Sequence, residues 1–458
     1  MGKKVFIQSL GCPKNLVDSE VISGTLRAAG YEGVASPEEA DILLVNTCGF
    51  ITSAVEEGID AILALAAVKQ GKVGCKLVVA GCMVQRYGES LRRELPEVDL
   101  FLAVDEVAAV AEKLAKLSPQ AELPSDLPLP RYLMDSQTPR LVSTPPFRSY
   151  LKITEGCSNR CSYCLIPSLR GPLRSRELPD LVREAQLLEG AGTKELTLVA
   201  QDLTAYGLDL GAGRERLPDL LSALLRETGI PWLRLLYLYP MRLQDEILQL
   251  VAGEPRLLPY FDIPLQHVSN RILQAMNRPY RRESVEKLLA RIRTILPQAA
   301  IRTTFMVGFP GETEAEVSEL AEFMKVQKLS NVGIFCYSNE EECAAAALPN
   351  HCSEAEKISR RDRLMRLQAG ISLAVNQSLV GSRQPVLVEG LSRESDLLLE
   401  GRTRYQAPEI DGVVYITSGT CQVGEIVQVR ITEAHHYDLI GEIVDPGSGP
   451  AEKNRTAS

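Results

Sequence analysis

Residues 156–164 read GCSNRCSYC, which puts Cys157, Cys161 and Cys164 in the spacing C-x3-C-x2-C, with Tyr163 just before the last. Three thiolates can hold three irons of a cubane [4Fe–4S] cluster and leave the fourth iron without a protein ligand. An open position on a metal centre can take a substrate or cofactor, whereas a closed centre is structural. A structural zinc site and a set of free core thiols are the plainer alternatives. Zinc normally takes four N or S ligands, and no fourth Cys or His lies near these three in sequence. Free core thiols give no reason for three cysteines to fall within eight residues.

LKITEG (151–156) reads as a strand, so Cys157 directly follows one. Five more strand candidates come after it: ELTLVAQ (195–201), WLRLLYLY (232–239), YFDIPLQ (260–266), AIRTTFMVG (300–308) and NVGIFCYS (331–338). Helical patterns such as PDLVREAQLLEGAG (179–192) and SVEKLLARIRTIL (284–296) separate most of them. Six β–α units predict a parallel barrel that is incomplete, a partial (β/α)6 barrel over 147–374. Chemistry in such folds sits at the C-terminal ends of the strands, where Cys157 falls.

Before it, over 1–118, VFIQSLG near 5–11, DILLVNT (41–47), KLVVAG (76–81) and DLFLAV (99–104) alternate with helical stretches and predict a doubly wound α/β domain. Cys12, Cys48 and Cys82 stand just beyond the carboxyl ends of the first three. Those ends line one crevice in an open parallel sheet. Three thiolates distant in sequence would then converge, and could hold a second [4Fe–4S] cluster with one open iron. Ordinary buried cysteines are the plainer reading of each one singly. Cys75, Cys336, Cys343, Cys352 and Cys421 share no such pattern and read as core or surface thiols.

Seven prolines between 119 and 146 mark an extended linker. After the barrel, Ser353 and Glu356 form a capping box for a long helix carrying Ile358, Leu364, Leu367 and Ile371. From 375 to 445 short alternating strands with Gly turns (PVLVEGL, LLLEGR, VVYITSG, EIVQVRITEA, DLIGEIV) predict a small antiparallel β-barrel. The polar tail, 446–458, reads as disordered. Composition is that of a soluble protein, 45% hydrophobic and 24% charged. No apolar run is long enough to span a membrane. The start, MGKKVFIQSLGC, reads as a strand and not as a signal peptide. A cytoplasmic location is therefore expected, and there the eleven cysteines suggest metal or catalysis before disulfides. The net charge of −9 argues against broad affinity for nucleic acid.

Together the two trios and the terminal barrel resemble the radical S-adenosylmethionine (SAM) methylthiotransferase family, from about Lys4 to Val444. The motifs carrying this are LGCPKNLVDSE (10–20), EGCSNRCSYCLIPSLRGPLRSR (155–176), AQDLTAYG (200–207), LLYLYP (235–240) and IPLQH (263–267). They are similar to the branch that modifies an aspartate of ribosomal protein S-twelve; the tRNA-modifying branch has GCQMN at the first cysteine and S-x-H-P in place of YLYP. The resemblance implies two [4Fe–4S] clusters, a TRAM barrel, one SAM as radical source and another as methyl donor. It also implies an external electron donor and sulfur source, and places the backbone at Tyr163 against the adenine of SAM. One departure is SNEEECAAAAL (338–348), where the family usually has a Pro and a Gly after YS.

Other site residues are less sharply marked. Gln201 and Asp202 end the second strand and are candidates for SAM's polar groups, or a strand-end turn. Gly308 and Gly311 allow close approach of backbone to a ligand, or serve a turn before Glu312. Arg170, Arg174 and Arg176 form either a basic rim for an acidic target or a solvated loop. Between Val375 and Glu442 there are five Arg, no Lys and ten Asp plus Glu, a balance of −5. RNA-binding barrels need a positive surface, so this one suits a basic protein partner, with solubility as the plainer purpose. Two alternatives stay open: a tRNA adenosine methylthiotransferase, and a non-catalytic iron–sulfur redox or partner-binding protein.

Overall fold

The structure is a computed structural model that describes residues 2–116 and 127–444. The first part of the linker, 119–126, and the tail, 446–458, lie outside the described residues.

Strand Ile42–Thr47 is buried along its whole length, as the centre of a two-faced sheet must be. It lies in a five-stranded parallel sheet, in the order Glu32–Gly33, Lys4–Ser9, Ile42–Thr47, Lys76–Gly81, Leu100–Leu102. Alternate residues point to opposite faces. Leu43, Val45, Leu77 and Val79 pack under Val55, Ile62 and Leu65 of helix Thr52–Gln70. Ile42, Leu44, Val78 and Ala80 pack under Ile22 and Leu26 of helix Pro13–Ala28. Helices on both faces make this a doubly wound unit.

Two three-stranded parallel sheets form the central unit. One runs Arg148–Lys152, Glu195–Val199, Trp232–Leu235; the other runs Tyr260–Asp262, Ala300–Val307, Asn331–Cys336. Backbone bonds such as Leu258 N to Leu233 O (2.9 Å) and Leu238 N to Asp262 O (2.8 Å) join them. The strands therefore follow chain order around an arc, an open (β/α)6 barrel. Leu151, Leu198, Leu233, Leu235, Phe261, Ile263 and Phe305 pack outward against the covering helices, on Leu181, Leu220, Leu289 and Phe323 among others.

The last unit is a closed five-stranded barrel, in the order Arg383–Leu391, Leu399–Thr403, Val414–Ser418, Leu439–Ile443, Ile426–Ala434. Four of its pairings are antiparallel, but Val414–Ser418 runs parallel to Leu439–Ile443. Val386, Val388, Val414, Ile416, Val429 and Ile431 fill it.

Buried charge joins the units. Glu195 accepts from Arg234 Nε (2.5 Å) within the open barrel and from Arg402 Nη2 (2.6 Å) of the closed one. Linker residue Arg140 bridges Glu20 of the first unit (2.7 Å) and Glu184 of the second (2.5 Å). The described part of the linker, 127–146, is thus extended chain pinned between the two. Among the described residues, no helix is long and apolar enough to cross a membrane.

Candidate active site

Parallel strands place their carboxyl ends on one side, and both cysteine trios stand there. Cys12 caps helix Pro13–Ala28, with Pro13 at its first turn, where a missing N–H costs nothing. Gly11 takes φ +87°, and a Cβ there would come within 2.9 Å of Cys48 Cβ, so a glycine brings these two loops together. Cys48 follows the strand ending at Thr47, and Cys82 opens helix Cys82–Glu94. Asn15 knits these ends: its Nδ2 donates to Leu10 O (2.6 Å), Asn46 O (3.3 Å) and Thr47 O (3.4 Å). On the facing unit, Cys157 N donates to Gly171 O (3.0 Å) and Cys164 N to Cys161 O (3.3 Å). Gly156 takes φ +73°, and a Cβ there would drive into Pro172 O.

All six cysteines line one cavity of about 320 Å³, together with Lys14, Tyr163, Arg170, Gln201, Asp202, Tyr237 and Arg278. No three His, Cys, Asp or Glu side chains among the described residues converge closely enough to hold a single metal ion. Thiolates on a cubane bind different irons and stand further apart than ligands of one ion. The donor chemistry, two sets of three thiols facing a shared space, fits a pair of such clusters. The Gln201 amide fits a small-molecule ligand. Its Nε2 donates to Glu155 (3.0 Å), while its Oε1 is buried without a partner.

Charge at the two trios differs. Burial raises the Cys12 thiol, but Lys14, Arg170 and the backbone N–H groups of Asn15 and Lys14 outweigh it, so its pKa falls below the ordinary value. Burial pushes Cys82 up to about 11 and Cys164 up to about 12. Arg170 is fully buried where the units meet. Its Nε donates to Cys82 Sγ (3.2 Å), and its Nη1 to Asp18 (2.7 Å) and Glu155 (3.2 Å). Burial disfavours the Glu155 carboxylate, yet Lys152 and Arg170 hold it well below the usual range.

Among the other sequence candidates, Tyr163 lines the cavity, and its hydroxyl accepts from Arg278 (2.6 and 3.1 Å). Asp202 is engaged by Asn159 (3.0 Å) and Arg242 (2.5 Å). Gly308 and Gly311 do not line this cavity. Gly308 takes φ +72° against Lys357, and its N–H donates to Glu312 (2.7 Å), so both act as turn glycines. Nor do the arginines form a basic rim. Arg176 is buried against Asp180 (2.7 Å) and Glu184 (2.5 Å), while Arg174 donates to backbone carbonyls. The unusual 338–348 loop has a structural purpose: Glu340 and Glu342 accept from Arg86 of the first unit (2.7 and 2.6 Å), and Glu340 from Thr52 N (2.8 Å).

Comparison with known proteins agrees with this layout. Residues 4–103 match the uncharacterized protein family UPF0004, 151–324 the radical SAM superfamily and 380–444 the TRAM domain. The chain is 52% identical over 441 residues to the ribosomal protein uS12 methylthiotransferase RimO of Desulfotalea psychrophila, covering 96% of this chain and 99% of that one. With the RimO of Geobacter sulfurreducens, identity is 46% over 442 residues, covering 96% and 99%. The chain belongs to the RimO family. Among solved structures, the radical SAM methyltransferase TsrM from Kitasatospora setae superposes with a TM-score of 0.54 at 16% identity, covering 73% of each chain. That likeness shows the fold alone.

Lys14, Tyr237, Gln266 and Arg278 complete the RimO-family cavity, and sequence reasoning assigned none of them a role. Two of the four take positive φ, Tyr237 (63°) and Gln266 (67°), a rarity for large residues. Their signal lay in the motifs LLYLYP and IPLQH, where a strand pattern breaks at a Pro or a buried polar residue.

Proposed function

We propose that this chain is a radical SAM methylthiotransferase that adds a methylthio group to the β-carbon of an aspartate in ribosomal protein uS12, with two [4Fe–4S] clusters and SAM as cofactors. The observation that carries this is the single cavity lined by both cysteine trios. In this reading Cys157, Cys161 and Cys164 hold one cluster and Cys12, Cys48 and Cys82 the other. When bound, SAM and the clusters supply hydrogen-atom abstraction from an unactivated C–H bond and a site for the incoming sulfur.

The chain's own residues supply position and exclusion. Phe50, Leu169, Leu238 and Pro264 give the cavity apolar walls that keep water from a reactive site. Gln201, whose Oε1 is buried without a partner, and the backbone at Tyr163, whose side chain Arg278 holds in the cavity wall, would help to hold SAM. Arg170 carries positive charge to Cys82 while Asp18 and Glu155 fix its plane, so the second trio is held by the junction itself. An external reductant and an external sulfur source serve the turnover.

A basic protein substrate fits the terminal barrel, where Glu394, Asp396, Glu409, Glu425 and Glu433 are exposed. A ribosomal substrate in turn places the reaction in the cytoplasm. The test uses a uS12 peptide deuterated at the β-carbon of its target aspartate, with anaerobically reconstituted enzyme, SAM and reductant. Deuterium recovered in 5′-deoxyadenosine together with a methylthio group on that residue is the expected result. Cleaved SAM without deuterium, or intact SAM despite full iron loading, refutes the proposal.

A further inference from the structure

Lys14 stands in the first turn of helix Pro13–Ala28, two residues past Cys12, and lines the cavity at only 8% exposure. Its ammonium lies 3.7 Å from the centre of the Tyr237 ring. Among the described residues it meets no carboxylate and donates no hydrogen bond. An ammonium carries three donors, and a buried charge left unpaired is strongly disfavoured. The other two cations lining the cavity are engaged, Arg170 by Asp18 and Glu155 and Arg278 by the Tyr163 hydroxyl. Of these three cavity cations, only Lys14 has none of its donors engaged among the described residues.

Tyr237 supplies an independent observation. A bulky residue at φ +63° is strained, and such strain persists only where the surroundings over-determine it. Here its N–H donates to Asp262 (3.1 Å), which Arg302 fixes at 2.9 Å, while its carbonyl accepts from Leu203 N (2.9 Å). The clamp sets the ring beneath the ammonium, where the aromatic face favours a cation without satisfying its donors.

We propose that Lys14, set against Tyr237, receives the side-chain carboxylate of the substrate aspartate. This rests on the uS12 reading above. The carboxylate carbon of an aspartate is bonded directly to its β-carbon, so holding the carboxylate fixes the reacting carbon to within one bond. Lys14 is then a specificity residue, selecting an acid over its amide isostere.

The experiment measures equilibrium binding of the reconstituted holoenzyme to two uS12 peptides, with Asp or Asn at the target position. Methylthiolation of the Asp peptide is followed in parallel by mass spectrometry. Wild-type protein is expected to prefer Asp by about ten- to a hundredfold, the worth of a hydrogen-bonded charge. Lys14→Met should bring that ratio to within about twofold, and Lys14→Arg should keep most of it. The ratio is taken within one preparation, so a loss of folded or loaded protein does not change it. Equal binding of the two peptides by wild type, or an Asp preference that survives in Lys14→Met, overturns the proposal. So does a shifted cluster midpoint potential with peptide preference intact, which would make Lys14 a counter-charge for the cluster. Selective binding without any methylthiolation by wild type would instead remove the substrate reading, and this inference with it.

Discussion

Replacing Glu195 by Gln should loosen the terminal barrel from the open one. Glu195 is fully buried and accepts from Arg234 of its own unit and from Arg402 across the junction. Arg402 keeps Glu389 as a second partner (2.8 Å), whereas Arg234 has no other carboxylate among the described residues. Burial alone would raise the Glu195 pKa, but the two guanidiniums outweigh it and hold the carboxyl at about 2 instead of the ordinary 4.5. By linkage that depression is worth about 3 kcal/mol at neutral pH. Breaking one side of a buried ion pair costs about 3–5 kcal/mol, so the two routes agree. Because the folded-state pKa is lowered, this stabilisation is fully present above about pH 4.5 and is lost as pH falls toward 2. Hydrogen exchange read by mass spectrometry on 399–403 and 195–199 is the assay. A 3 kcal/mol loss raises the open population by roughly 150-fold at pH 7. The gap between wild type and Glu195→Gln should close in acid. Protection within about twofold of wild type at pH 7, or a gap indifferent to pH, would show that the network does not hold the junction.

Cys161→Ser should lower iron from about eight to about four per chain and abolish SAM cleavage, whereas Cys48→Ser should lower iron similarly while cleavage continues; iron assay and 5′-deoxyadenosine yield separate the two. Gly156→Ala forces a side chain into left-handed backbone and into Pro172 O, so it should cost more than about 2 kcal/mol in denaturant unfolding and impair loading at Cys157. Arg170→Leu leaves Asp18 and Glu155 with only Lys152 as cation, and should destabilise the junction by about 3–5 kcal/mol, read as faster proteolysis between the first two units. Arg86→Ala should release the 338–348 loop, seen as faster exchange at Glu340–Cys343.

The cysteine positions were legible because strand periodicity and residue type coincide: each of Cys12, Cys48, Cys82 and Cys157 follows a stretch whose apolar pattern identifies it as a strand. What faces those thiols was not legible. A lysine two residues past a cysteine reads as surface, and only tertiary packing buries Lys14 over Tyr237. Arg170 reads as part of a basic rim or a solvated loop, since nothing local announces that Asp18, 152 residues away, will enclose it. Direction within the terminal barrel escaped as well. Alternation marks Val414–Ser418 and Leu439–Ile443 as strands but does not say that they run parallel. The acidic loop at 338–348 stood out as a departure, and its reason, Arg86, lies on a helix of another unit.

The most direct test offers ribosomal protein uS12 and bulk tRNA together to the anaerobically reconstituted enzyme with SAM and reductant, and reads both by mass spectrometry. A methylthio gain on an aspartate of uS12, with tRNA unchanged, is the predicted result. A gain on tRNA adenosine, with uS12 unchanged, would contradict the account.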